Sequence, residues 1–316
     1  MSTLTIPHVI PSPQEDCEKL HTAFSGWGTN EGDIIEVVTH RTADQRNAIR
    51  WTYHDIYGED LLKSLDKELT QDFEKAVLLW MLDPIERDVT LVNGAVKKWA
   101  PHDRVLVEIA VTRTANELLA VRKAYQEKYK KSLEEDVAAH TTGDFRKLMV
   151  PLVSSYRYEG PEVDSGLAKS EAHILRKHIK DEEYNHEEVI RILTTRSKSQ
   201  LMATFNAYHE EHGNPINKDL KKDPKDDFLF ALRSIIRCIT CPERYLEKVI
   251  RLSMKNTGTD EDALTRVITT RAEVNLKEIK EIYYKRNTVK LEHAIKKDTK
   301  GHYEDFLLAL VDSDEE

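Results

Sequence analysis

Residues 24–30 read Phe-Ser-Gly-Trp-Gly-Thr-Asn, in a chain of 316 residues that uses tryptophan only four times. Gly26 and Gly28 accept positive φ and allow close backbone approach, so a short loop here can turn several carbonyls toward one point. Carbonyl oxygens are hard ligands that suit calcium, which takes about six to eight oxygens in flexible geometry. The carbonyls of Phe24, Gly26 and Gly28, with the carboxylate of Glu68 arriving at the end of a later helix, would leave coordination positions open. Phosphate oxygens of a lipid head group can fill them. Trp27, flanked by two glycines at the tip of such a loop, can hardly be packed in a core; it suits the depth between head groups and acyl chains where amphipathic rings are favoured.

The elements that must hold this loop recur. THRTADQ, VTRTANE, TTRSKSQ and TTRAEVN place Arg41, Arg113, Arg196 and Arg271 at spacings of 72, 83 and 75. An aromatic residue opening an apolar stretch, at Phe73, Phe145, Phe228 and Tyr303, repeats with the same three spacings. Two independent markers sharing one irregular spacing imply four homologous units, the third lengthened by about ten residues between Gly160 and Glu188. Within the first unit the apolar residues Ile34, Ile35, Val38; Ile49, Tyr53, Ile56; Leu61, Leu62, Leu65; and Phe73, Val77, Trp80, Met81 follow helical periods. Thr29 is the expected N-cap of the first of these segments, Tyr57-Gly58-Glu59 a break and Asp83-Pro84 a stop. With the stretch Cys17 to Phe24 this makes five helices per unit and an all-α chain. The expected division is a leading segment 1–13, repeats at 14–83, 84–157 and 158–241, and a fourth repeat with its tail at 242–316.

Composition fits. Glycine and proline are scarce, at 11 and 10, and the longest apolar run, Ala76 to Leu82, is too short to span a bilayer. The net charge of −9 repels nucleic acid and anionic membranes alike, so an anionic partner needs a local or metal-mediated attraction. Three cysteines, Cys17, Cys238 and Cys241, suggest no disulfide framework, and a cytoplasmic, reducing location is expected.

The G-x-G-T loop, an acidic residue about 38 positions on and the fourfold arginine and aromatic markers resemble the annexin family, and the plant annexins in particular, over residues 14 to 312. The resemblance implies a slightly curved all-α disc that binds anionic phospholipid membranes through Ca2+, peripherally and when calcium rises, with no nucleic-acid partner. A monomer in solution that can self-associate on membranes is expected. By the same resemblance the fourth unit holds calcium through Met254, Asn256 and Gly258 with Asp298, although Asn256 replaces the first glycine. Subsidiary sites map to Leu69 with Glu74 and to Thr299 with Glu304. The second unit has Val96-Lys-Lys-Trp-Ala-Pro101 in place of the loop and His140 at the acidic position, and the third keeps Asp223 beside a charged stretch, Ile179 to Asn185. No calcium is expected in either. Lys255, Lys97, Lys98 and Trp99 are candidate membrane contacts beside Trp27; the alternative for the Lys97–Trp99 corner is a solvated helix end with Trp99 packed beneath it.

Other strings have simpler readings. His40 matches a histidine linked to peroxidase activity in plant annexins, but a structural histidine in the repeated turn explains it. Asp298-Thr-Lys-Gly301 is a D-x-x-G string of the kind invoked for nucleotide hydrolysis, without the G-x-x-x-x-G-K-[ST] loop. Ile190-Arg-Ile192 matches a string proposed to bind F-actin, and equally fills core positions. Cys238-Ile-Thr-Cys241 lacks the βαβ context of a redox pair, and Val111 stands where the family's redox cluster has a second cysteine. The expected protein is therefore not an enzyme; the alternatives are a peroxidase or nucleotide phosphohydrolase, or an actin-binding scaffold.

Overall fold

The computed structural model describes residues 1–25, 28–98, 104–221, 225–255 and 258–311. These residues form twenty helices and no strand. The first repeat contains α1 (Pro13–Phe24), α2 (Glu31–Thr39), α3 (Ala43–Tyr57), α4 (Leu61–Glu68) and α5 (Gln71–Met81). The second has α6 (Pro84–Lys97), α7 (Val105–Thr112), α8 (Ala115–Tyr129), α9 (Leu133–His140) and α10 (Gly143–Ser154). The third has α11 (Ser165–Lys180), α12 (Glu187–Thr195), α13 (Lys198–His212), α14 (Ile216–Asp219) and α15 (Asp227–Thr240). The fourth has α16 (Pro242–Ser253), α17 (Glu261–Arg271), α18 (Leu276–Asn287), α19 (Leu291–Asp298) and α20 (Gly301–Val311). Only residues 82–83 separate α5 from α6, whereas residues 155–164 separate α10 from α11. The extra length of the third spacing therefore lies largely in that linker, half of it ahead of the expected stretch and half within it.

The repeated hydroxyl-rich turn is a capping device. Thr42 and Thr114 accept from the backbone N–H of Gln45 and Glu117 while those side chains reach back, closing capping boxes at α3 and α8; Ser197 accepts from Gln200 at α13. The fourth repeat has Ala272 there, and without a hydroxyl its third helix begins later, behind Asn275. The preceding arginine clamps the first helix of its repeat. Arg41 holds Asp16 through Nε and Nη2, both at 2.7 Å, with both side chains buried. Arg113 holds Asp88 in the same two-pronged way, and Arg196 holds Glu171. Each acid lies 25 residues before its arginine; the fourth repeat has Leu246 at that offset from Arg271.

Two compact units result, Met1–Arg87 with Leu246–Glu316, and Asp88–Tyr245. In the first, α5 packs on α17 and α2 on α20; in the second, α7 packs on α15 and α10 on α12. The core of the first unit centres on Trp80, wholly buried, whose indole Nε1 donates to the Val38 carbonyl at 2.7 Å. The Arg46 guanidinium lies 3.6 Å from the centre of its ring and reaches Glu273 at 2.9 Å. Burial lowers the Arg46 pKa and Glu273 opposes that shift. Thr3, also buried, ties the leading segment to the fourth repeat by donating from its backbone to Ala272 O and from Oγ1 to Leu310 O.

Candidate calcium centres

The loops after α1 and α16 are built alike. Asn30 N–H donates to Ala23 O at 3.0 Å, and Asp260 N–H to Ser253 O at 2.8 Å, so each loop is pinched shut at its base. Gly28 and Gly258 sit at φ +94° and +110°, where any Cβ is strained. Phe24, the last residue of α1, and Met254, just beyond α16, are half-buried, while Gly28, Gly258 and Lys255 are exposed. Gly26, Trp27 and Asn256 lie outside the described residues.

Thr29 does not cap α2, as its place before the helical pattern predicted. Asn30 does, accepting from Asp33 N–H through its side chain. Thr29 Oγ1 instead donates to Glu68 Oε2 at 2.8 Å, bringing the carboxylate at the end of α4 to the loop. In the fourth repeat Thr259 Oγ1 donates at 2.9 Å to the main-chain oxygen of Asp298, at the end of α19. The acid side chain, one methylene shorter, is not what the threonine holds. Glu68 and Asp298 are both half-buried.

The next residues carry the subsidiary candidates. Leu69 and Thr299 are buried and extended at the ends of α4 and α19, and Glu74 and Glu304 are half-buried on the first turns of α5 and α20. Gln71 and Gly301, which open those helices, have φ +58° and +64°. Gly301 is thus favoured by its backbone, which accounts for the glycine of Asp298-Thr-Lys-Gly301 in structural terms. Between the two turns lies a cavity of about 380 Å³, lined by Glu31, Asp72, Glu261, Asp298, Lys300 and His302 among others.

No group of three His, Cys, Asp or Glu side chains able to hold a metal occurs among the described residues. A side-chain cage for a transition metal is therefore not built here. One carboxylate beside a glycine-turned loop is a donor set for a hard cation with main-chain oxygens, and it fits calcium.

The other two repeats differ. Lys97 and Lys98 are exposed at the end of α6, with Lys97 Nζ 5.3 Å from the centre of the Tyr129 ring; Trp99 lies outside the described residues. His140 turns Nδ1 to the Asp136 carbonyl at 2.8 Å. In the third repeat protein groups already engage the loop's acids: His178 Nδ1 lies 2.8 Å from Glu183, and Lys221 Nζ 3.2 Å from Glu182. The His178 and His186 rings stack 3.7 Å apart, and Asp223 lies outside the described residues.

Of the remaining singled-out residues, His40 closes α2 with Nδ1 2.9 Å from Glu36 O, beside a charged cavity of about 320 Å³. Ile190 and Ile192 of the Ile-Arg-Ile string are buried in the core, and Arg191 pairs with Glu188. Cys17 and Cys238 are buried and Cys241 partly so; burial pushes the Cys17 thiol up to about 11. No helix among the described residues is long and apolar enough to cross a membrane.

The acids that clamp the repeat arginines escaped the sequence reading, although their constant offset of 25 was visible at Asp16, Asp88 and Glu171. The partnership of Thr29 with Glu68 carried no signal beyond the loop itself.

Comparison with known proteins agrees with this architecture. The Annexin family model matches residues 15–80, 87–152, 170–235 and 245–310. Annexin Gh1 of Gossypium hirsutum is 61% identical over 310 residues, covering 98% of each chain. Among solved structures, chicken annexin V superposes with a TM-score of 0.90 at 30% identity over 98% of both chains. Calcium-bound annexin (Sm)1 does so with 0.81 at 27%, covering 95% of this chain and 90% of the other. The chain belongs to the annexin family. Membership implies calcium-dependent binding to phospholipid membranes.

Proposed function

We propose that this protein binds anionic membranes by holding calcium at its first and fourth repeats and presenting the ion to lipid phosphates. The carbonyls of Phe24, Gly26 and Gly28 with Glu68 would hold one ion, and those of Met254, Asn256 and Gly258 with Asp298 another. Leu69 with Glu74 and Thr299 with Glu304 would take further ions at the turns that follow. When bound, calcium supplies positive charge and open coordination positions between an acidic protein and an acidic surface.

The chain's own part is placement. The positive φ of Gly28 and Gly258 would let the loop carbonyls converge, the base hydrogen bonds close each loop, and Thr29 orients Glu68. The observation that carries the reading is this hydrogen bond, which joins residues 39 positions apart and brings a carboxylate to the glycine loop. Trp27 and Lys255, on the two loops, and Lys97, Lys98 and Trp99 in the second repeat, would add metal-free contacts to the interface. The third repeat, whose acids are satisfied by His178 and Lys221, would bind no calcium.

Co-sedimentation with phosphatidylserine vesicles tests the reading. Wild type should pellet with vesicles strongly in calcium and only weakly in chelator, through the metal-free contacts. Glu68→Gln and Asp298→Asn should each raise the calcium needed, and together abolish the calcium-dependent part of pelleting. Calcium-dependent pelleting that survives both substitutions would refute the assignment.

A further inference from the structure

The second unit holds a row of arginines that the calcium reading does not use. On α15 the residues left half-buried or exposed are Asp227, Phe230, Arg233, Arg237 and Thr240, one every three or four positions, while the rest of the helix is buried. These fall on one stripe. Phe230, Arg233 and Arg237 span about 10 Å of it at the α-helical rise of roughly 1.5 Å per residue. α7 packs on α15, and Arg104, which immediately precedes α7, places its guanidinium 5.4 Å from the centre of the Phe230 ring at the head of the row. Arg244, exposed, stands two residues into α16 beyond the other end.

None of these four arginines is paired with a carboxylate among the described residues. Arg233 donates to the Leu220 carbonyl at 2.7 Å, which satisfies a donor but not the charge. Asp227, the acid on the stripe, lies ten residues from Arg237, about 15 Å along the helix. Glu108 on α7 accepts instead from the Tyr245 hydroxyl at 3.3 Å. The cations also act on one another: burial lowers the Arg237 pKa, and Arg104 and Arg244 lower it further, while Arg233 is lowered by burial and by Arg237. A chain with 56 acidic and 47 basic residues could easily have matched these charges. Elsewhere in the second unit it does so, at Arg113 with Asp88 and Arg196 with Glu171.

Unmatched guanidiniums on a half-buried stripe repel one another, and a multivalent oxyanion relieves that repulsion while accepting forked hydrogen bonds. We propose that the Arg104–Arg233–Arg237–Arg244 row is a calcium-independent binding site for a phosphomonoester or diphosphate group, carried on a lipid head group or on a free ligand. Arg104 and Arg237 are the principal contacts, Arg233 lies one turn back from Arg237 along α15, and Arg244 closes the far end.

Calorimetric titration of the full chain with pyrophosphate, in chelator and at physiological salt, tests this. Wild type should bind one equivalent saturably. Arg104→Gln with Arg237→Gln should weaken binding at least tenfold, and Lys123→Gln, an exposed lysine of the same unit, should leave it unchanged. Because the substitutions remove repelling charges, the double variant's Tm without anion should equal or exceed wild type. Arg237→Lys, which keeps the charge and loses the fork, should weaken binding severalfold and serves if the double variant does not fold. Absence of saturable binding by wild type, or full affinity in the arginine variants, overturns the proposal. Vesicles containing phosphatidylinositol 4-phosphate, also in chelator, identify the source of the phosphate. Retention that pyrophosphate competes away assigns it to a lipid, and pyrophosphate binding without retention assigns it to a free ligand.

Discussion

Thr29 Oγ1 donates to Glu68 Oε2 at 2.8 Å, whereas its counterpart Thr259 donates to the main-chain oxygen of Asp298. A hydrogen bond to a charged group contributes more than one between neutral partners, and here it also fixes which way the carboxylate faces. Thr29→Val, which keeps the shape and removes the hydroxyl, should weaken calcium binding at the first repeat about tenfold. Thr259→Val should weaken the fourth site less. Calorimetric calcium titrations of the two variants check the difference.

The arginine clamps bear on stability rather than on calcium. Arg41 and Asp16 are both buried and joined at two points, so removing the acid leaves an uncompensated guanidinium inside the first repeat. Asp16→Ala should cost about 3–5 kcal/mol in urea unfolding. A loss under about 1 kcal/mol would mean that the pair is not what holds α1 to the turn after α2.

Four helix ends use left-handed backbone at equivalent positions: Gly58, Lys130, Gly213 and Thr288, the last at φ +59°. A β-branched residue is poorly suited to this conformation. Thr288→Gly should therefore raise stability by about 1 kcal/mol, measured by thermal unfolding, without changing vesicle binding. Lys130→Gly should act in the same direction and by less.

Buried phenols set the alkaline limit. Burial, helped by Asp219 and opposed by Arg176, pushes Tyr208 up to about 12, and Tyr53, Tyr125, Tyr283 and Tyr303 are raised as well, chiefly by burial. A group whose folded pKa exceeds its unfolded value, about 10 for tyrosine, gives stability that is complete below that unfolded value. That stability is lost as pH rises toward 12. Urea midpoints should thus hold below about pH 10 and fall steeply above it. Tyr208→Phe should flatten the fall.

Much of this was legible in the residues, for particular reasons. The four repeats showed themselves because Arg41, Arg113, Arg196 and Arg271 each stand at or just beyond the end of a second helix, and because the aromatics at Phe73, Phe145, Phe228 and Tyr303 each open a fifth helix, three of them buried and Phe145 half-buried; both demands recur with the fold. The end of α3 and the stop after α5 followed from Gly58 and Pro84, whose backbone preferences are local. Thr29 was misread for the converse reason. A hydroxyl before a helix is a local capping signal, but Glu68 competes for it from 39 residues away, and Asn30 caps equally well. Gln71 gave no sign of its positive φ, since glutamine seldom adopts it; only its equivalence to Gly143 and Gly301 reveals the strain. The long linker begins five residues ahead of the expected Gly160, in a stretch where Tyr156 and Tyr158 are exposed.

The central claim is that the first-repeat loop and Glu68 grip calcium on one side only. A crystal structure grown with calcium and a short-chain phosphatidylserine tests it most directly. The account predicts an ion bound by the carbonyls of Phe24, Gly26 and Gly28 and by the Glu68 carboxylate, with a lipid phosphate oxygen completing its shell. An empty loop, or an ion enclosed by protein oxygens alone, would contradict it.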